Sequence, residues 1–189
     1  MPKLYMIRHG EAASGWDADT DPGLSDKGRA QSEAVAREIE ERVGRKLPLI
    51  SSPLRRCRET GEPLAAKWNM TARIDARVGE IPSPIEDLKA RGEWLRNFMS
   101  GTWAKGLPTQ GHLDLNAWRN GVAEALLELT EDTVIFSHFV AINVAASAAT
   151  NDDRVISFRP DNCSVTVFDA DDGKLSLVER GREADTKVN

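Results

Sequence analysis

The chain reads as an α/β layer fold with a mostly parallel sheet and an antiparallel edge. Three observations lead there. Short apolar runs of strand length alternate with longer segments of helical periodicity, the pattern of repeated strand–helix units. The last two runs are separated only by Asp171-Asp172-Gly173, a hairpin turn that makes its strands antiparallel. No internal repeat, low-complexity tract or linker-like stretch interrupts the 189 residues, so a single domain over 1–189 is expected.

The elements follow in order. Residues 4–7 are a buried strand ending in Arg8-His9-Gly10, and 12–23 are a small, acidic, turn-rich loop. Ser25 caps a helix whose apolar face holds Ala30, Ala34, Val35, Ile39 and Val43, with Gly44 as its stop. Residues 47–51 form a second strand. Ser52-Pro53 supplies the N-cap and first position of a helix carrying Leu54, Cys57, Gly61, Leu64, Ala65 and Trp68, kinked or restarted at Pro63. Residues 71–74 are a third strand. Ser83-Pro84-Ile85-Glu86 has capping-box spacing and starts a helix with Ile85, Leu88, Leu95 and Met99 buried. A loop over 101–111 leads to a helix marked by Leu115, Trp118, Val122, Leu126 and Leu129. Residues 133–137 are the clearest buried strand, and 140–149 an apolar, buried helix. Strands are expected at 155–158, 164–168 and 175–178, before a frayed polar end.

Composition excludes several classes. The balance of 25 Lys+Arg against 30 Asp+Glu gives a net charge of −5, which disfavours generic binding to nucleic acid or anionic membranes. No run approaches the roughly 20 apolar residues of a membrane span, and the start lacks the pattern of a signal peptide. Two cysteines, Cys57 and Cys163, make no disulfide scaffold, so a reduced, cytoplasmic setting is the expectation. Neither has an arginine six positions on, so no cysteine-phosphatase loop is present. Gly23 to Gly28 has P-loop glycine spacing, but Arg29-Ala30 replaces the Lys and Ser/Thr that such a loop requires. Three scattered histidines without clustered acids or cysteines give no metal site, and no cofactor is expected.

The chemistry lies at three strand-to-helix junctions: Arg8-His9-Gly10-Glu11, Ser51-Ser52-Pro53-Leu54-Arg55-Arg56 and Ser137-His138. In a parallel sheet these share the carboxyl edge, where ligands bind against helix N-termini. A histidine or arginine after a strand is, taken singly, more often a packing residue; convergence of the group argues for a site. Arginine presents a fixed fork of donors to phosphate oxygens, and each hydrogen bond to a charged group contributes about 1.5–3 kcal/mol. A neutral imidazole nitrogen can attack phosphorus, and a carboxylic acid can protonate the departing oxygen.

Arg8-His9-Gly10-Glu11 resembles the signature of the histidine phosphatase superfamily, which includes the cofactor-dependent phosphoglycerate mutases and many phosphatases. Residues 21–31 (DPGLSDKGRAQ), 51–60 (SSPLRRCRET), Val78-Gly79-Glu80-Ile81 and Val134-Ile135-Phe136-Ser137-His138 resemble its further blocks, in the same order. The resemblance implies a three-layer, phosphoglycerate mutase-like α/β/α sandwich. It makes His9 the phosphorylated nucleophile, Arg8 and Arg56 the phosphoryl ligands, His138 the residue completing that pocket, and Glu80 the proton donor. Helical neighbours point about 100° apart, so only one of Arg55 and Arg56 is expected to face the pocket, and the resemblance favours Arg56, whose spacing from Leu54 and Thr60 fits the family block. Arg55 and Arg58 are expected in solvent or paired with acids, and Glu86 is assigned to capping.

Two departures mark the chain. Phe139 follows His138 where many members have glycine, and Ala12-Ala13-Ser14-Gly15-Trp16 lacks an asparagine that many members carry. Residues 81–113 are expected to cover the pocket. Trp16, Trp103 and His112 are candidates for substrate selection, whereas Trp94 is better explained by packing. The implied function is metal-independent hydrolysis of phosphate monoesters or phosphohistidine, with a phosphorylated small molecule or phosphoprotein as substrate. The alternatives are a phosphoglycerate mutase or other phosphotransferase, and a phospho-ligand-binding module without turnover. The sequence does not set the oligomeric state.

Overall fold

The computed structural model describes residues 1–15, 18–105 and 113–184. Its sheet has six strands: β1 (Lys3–Arg8), β2 (Leu49–Ser51), β3 (Arg73–Ile74), β4 (Thr133–Ser137), β5 (Val165–Asp171) and β6 (Lys174–Glu179), in the spatial order β3-β2-β4-β1-β5-β6. The first four are mutually parallel; β5 pairs antiparallel with both β1 and β6. The expected mixed sheet is present. Asp172 and Gly173, both at positive φ, make the β5–β6 turn.

Alternation along the strands divides the core into two layers. Tyr5, Ile7, Leu49, Val134 and Phe136 face α1 (Asp26–Val43) and α2 (Arg55–Trp68). Leu4, Met6, Ile50, Ile135 and Phe168 face α4 (Leu115–Leu127) and α5 (Phe139–Thr150). Burial on both faces explains why β1 and β4 read as unbroken apolar runs. A third cluster joins α3 (Leu88–Met99) to the start of α5 through Trp94, Leu95, Phe98, Phe139, Val140 and Trp103; Trp103 lies in the short 3-10 turn Trp103–Lys105.

Several expected boundaries change. Ala30 and Ala34 are exposed, and α1 instead buries Gly28, Ser32, Val35, Ala36 and Ile39. Ser32 satisfies its hydroxyl on the Arg29 carbonyl, so a polar residue fits the buried face. Leu54, not Ser52, caps α2, and the helix runs unbroken through Pro63. The helix expected at Ser83 begins later: the Asp87 carboxylate accepts from Ala90 N–H and caps α3, while Ser83 closes a local turn on Ile85. Glu86 is exposed and outside the helix. Residues 155–158 form no strand. Ser157 and Phe158 N–H groups bind the side-chain oxygen of buried Asn143 on α5, which replaces a neighbouring strand.

Candidate active site

β1, β4 and β2 are adjacent, and their carboxyl ends bring the three junctions together. Arg8 ends β1 and His9 follows it; Arg56 is the second residue of α2; His138 caps α5; Glu80 follows a 3-10 turn, Ala76–Val78. All five predicted residues meet here. Arg8, His9, Arg56 and His138 are recessed, with exposures of 8, 5, 3 and 0%.

Hydrogen bonding fixes the imidazoles. His9 Nδ1 lies 2.8 Å from the Gly10 carbonyl, which can only accept, so Nδ1 carries the proton and Nε2 keeps its lone pair. Arg56 Nε donates to that Nε2 at 3.2 Å, and Arg56 Nη2 donates to His138 Nδ1 at 3.2 Å. The opposite nitrogen, His138 Nε2, then donates to Ser52 Oγ at 2.8 Å. The two imidazole rings stand edge to face, 5.3 Å apart. Burial, reinforced by Arg56 and Arg8, holds the His9 imidazole well below its usual range and therefore neutral. His138 is pushed the same way by burial, Arg56, His9 and Arg8.

Glu80 is driven in the opposite sense. Burial raises its carboxyl above the ordinary range against the pull of the Ile81 N–H and Arg56. Oε1 accepts from Ile81 N–H at 3.0 Å, while Oε2 is sealed and has no partner among the described residues. The Ser137 hydroxyl donates to the Val78 carbonyl at 2.7 Å, tying the end of β4 to the segment carrying Glu80. Asp75 caps that 3-10 turn and is bound by Arg77, which also reaches Glu128 on the residue following α4.

The supporting groups were the part that sequence reasoning missed. Thr60 Oγ1 accepts from Gly10 N–H at 3.0 Å and donates to the Arg56 carbonyl at 2.6 Å, clamping α2 to the His9 turn. Asn162 Nδ2 donates to the His9 carbonyl at 2.9 Å, and Cys163 N–H to the Arg8 carbonyl at 3.0 Å. Ser52 and Thr60 sit inside a recognisable block, but Asn162 lies between strands with no local signal. Gly10 and Gly28 allow a close backbone crossing: a Cβ on Gly28 would stand 2.1 Å from the Glu11 carbonyl oxygen, and one on Gly10 2.7 Å from that of Gly28. The glycine at 28 thus serves packing of α1 on the His9 turn.

The remaining candidates separate. Arg55 pairs with Glu59 at 2.6 Å and Arg58 is exposed, as expected. Trp94 and Trp103 are buried in the third core cluster, so Trp103 is a packing residue; its ring also carries the Arg119 guanidinium at 4.5 Å. Trp16 and His112 lie outside the described residues. Both cysteines are buried free thiols. Among the described residues no cluster of His, Cys, Asp and Glu is arranged to hold a metal ion, and no helix is long and apolar enough to cross a membrane.

This edge thus gathers two arginines and two histidines around one recess. The model of the histidine phosphatase superfamily (branch 1) aligns with residues 4–182. The chain belongs to that superfamily. A protein of Erwinia tasmaniensis named probable phosphoglycerate mutase GpmB is 28% identical over 187 residues, covering 89% of this chain and 85% of that protein. Among solved structures, phosphoserine phosphatase of Entamoeba histolytica in complex with 3-phosphoglyceric acid superposes with a TM-score of 0.75 at 23% identity, over 96% of this chain and 98% of that one. A mycobacterial glucosyl-3-phosphoglycerate phosphatase gives 0.70 at 23%, over 97% and 100%. These likenesses at low identity establish the three-layer phosphoglycerate mutase-like fold.

Proposed function

We propose that this member of the histidine phosphatase superfamily is a metal-independent phosphatase that hydrolyses phosphate monoesters through a phosphohistidine on His9. The reading rests on one observation: the pocket holds His9 neutral with its Nε2 lone pair facing Arg56, while burial favours the protonated form of Glu80. In the first step the Nε2 lone pair forms the N–P bond as the ester P–O bond breaks. The departing oxygen takes the Glu80 proton. Arg8 and Arg56 hold the non-bridging oxygens, where charge accumulates, and His138 completes the pocket beside them. In the second step the Glu80 carboxylate takes a proton from water, the water oxygen attacks phosphorus, and the N–P bond breaks to restore His9 and release phosphate.

The substrate is a phosphorylated small molecule or a phosphoprotein, and the stretch from Ile81 to Trp103 shields it from water. Buried free thiols fit a reducing, cytoplasmic setting. A mutase reading is favoured by the naming of the 28%-identical relatives; it requires transfer to an organic hydroxyl to outrun transfer to water. The missing asparagine after Glu11 and the short covering segment favour hydrolysis.

The test is turnover of p-nitrophenyl phosphate and of a panel of phosphorylated metabolites, with chelator present, with alkaline quenching to preserve phosphohistidine. The expected result is phosphate release with label on His9, and His9→Ala lowering the rate by on the order of 10³-fold or more. Unchanged turnover in His9→Ala overturns the assignment of the nucleophile. Isomerisation of a phosphoglycerate faster than phosphate release overturns the hydrolase in favour of the mutase.

A further inference from the structure

Phe139 stands at the first position of α5, directly after His138, where the family pattern often has glycine. It is buried, and it belongs to the apolar cluster under α3. Its ring also faces the site: the Arg8 guanidinium lies over it, 5.0 Å from the centroid. We propose that Phe139 is a positioning residue that fixes the plane of the Arg8 guanidinium and thereby aims its free edge at a bound phosphoryl group.

The geometry of Arg8 shows why a wall is needed. Among the described residues only Nη1 has an acceptor, the Pro160 carbonyl at 2.9 Å. Nε is sealed from solvent and has no partner among the described residues. A guanidinium held by one hydrogen bond can still turn about that bond, and a buried unpaired N–H costs about 1–3 kcal/mol. The ring face removes the rotation. It lies under the cation, where the negative face of the aromatic quadrupole attracts positive charge and desolvation strengthens the attraction. The acceptor side is pinned equally well: Asp161 N–H donates to the Arg182 carbonyl at 2.8 Å and Ala184 N–H to the Arg159 carbonyl at 2.9 Å, bracing Pro160 against the segment after β6. One edge is anchored and one face is covered. Nη2, which is not sealed and makes no hydrogen bond among the described residues, is left for an anion. Glycine in place of Phe139 would leave that face of Arg8 open.

This inference rests on Arg8 being a phosphate ligand, as proposed above. It is tested on the full chain by replacing Phe139 with 4-fluoro-, 3,5-difluoro- and 3,4,5-trifluorophenylalanine. These keep the ring's shape and progressively weaken its quadrupole. Inorganic phosphate affinity is read by calorimetry and folding by thermal melting; Phe139→Leu provides a second comparison. The expected result is a stepwise loss of affinity, reaching about 5- to 30-fold for the trifluorinated ring, with little change in melting temperature. An affinity that stays constant along the series overturns the role of the ring while leaving the phosphatase reading in place. Absence of phosphate binding and of turnover in the unsubstituted protein overturns both.

Discussion

The floor of the pocket and the segment that approaches it from Ile81 to Trp103 are held by different forces. Directional bonds set the floor: Arg56 reaches both imidazoles, Ser52 orients His138, and Thr60 and Asn162 hold the His9 turn by its backbone. Apolar side-chain contact packs the body of the segment, with Trp94 stacked on Phe98 and Phe98 edge-on to Trp103, and backbone bonds between Trp103 and Asp153 and between Val155 and Gly101 tie down only its end. Among the described residues the indole nitrogens of Trp94, Trp103 and Trp118 have no acceptor. Hydrogen bonds fix angles and protonation states, whereas apolar packing fixes volume. The proposed nucleophile and its phosphate ligands therefore belong to the directionally bonded floor. The stretch from Ile81 to Trp103, held largely by packing, is free to differ in residue identity so long as its bulk is kept.

The sharpest way to break that contrast is at Glu80, which joins the floor immediately before the Ile81–Trp103 segment. Glu80→Gln keeps the shape and removes the proton. Rates with alkyl phosphates are expected to fall about 10²–10⁴-fold, the usual contribution of a general acid. Loss should be far smaller with p-nitrophenyl phosphate, whose leaving group needs no proton. Because burial raises the Glu80 carboxyl, activity of the unsubstituted protein declines as pH rises through that raised value, and Glu80→Gln erases this alkaline limb. Equal losses for both leaving groups would assign Glu80 a structural role. Arg56→Lys follows in size. A single ammonium cannot span His9 Nε2 and His138 Nδ1 as the Nε and Nη2 of Arg56 do. Phosphate affinity is expected to drop by about 10- to 150-fold, the equivalent of one charge-assisted hydrogen bond.

The contrast also explains what the sequence made legible. β1 and β4 are buried on both faces, so their apolar runs marked them, and the His9 and His138 junctions came with them. Helical geometry sends Arg55 and Arg56 to different sides, and the family block, through its spacing from Leu54 and Thr60, points to Arg56. What stayed hidden depends on contacts across the chain. Asn143 replaces a strand at 157–158 with a side-chain oxygen supplied from 14 and 15 residues away. Asn162 meets His9 across 153 residues. No local pattern encodes such partners. Ser83-Pro84-Ile85-Glu86 had the right spacing for a cap, yet Asp87 was equally able to bind a free N–H and stood nearer the apolar periodicity that starts at Leu88.

Gly28→Ala probes the floor through packing alone. The added Cβ meets backbone, which cannot swing aside as a side chain tip can. Either α1 or the His9-Gly10-Glu11 turn must shift, at a cost of about 1–3 kcal/mol. For a chain of this length that lowers the melting temperature by roughly 2–12 °C. Turnover should fall with it, because the same turn carries the nucleophile. Trp94→Leu in the covering segment also opens a cavity and lowers the melting temperature, but turnover of p-nitrophenyl phosphate should persist. If the two variants lose activity alike, floor and cover are one mechanical unit.

The smallest effect is a dependence of stability on pH, and it tests the protonation state directly. In the unfolded chain an imidazole titrates near pH 6.5, whereas the fold holds His9 and His138 well below that value. Between those limits the unfolded state binds more protons, so stability falls as pH drops below 6.5. Glu80 acts in the opposite sense: the native state holds the extra proton, and its stabilisation is lost as pH rises through the raised carboxyl value. Comparison with His9→Gln removes one imidazole and leaves the other groups in both arms. Measured by denaturant unfolding at pH 7.5 and 5.5, the unsubstituted protein should lose about 1.4 kcal/mol more than the variant, the equivalent of one proton over one pH unit. Equal losses would mean that His9 takes up its proton in the folded state. Its Nε2 would then be a donor facing Arg56, and the lone pair on which the N–P bond depends would be absent from the resting pocket.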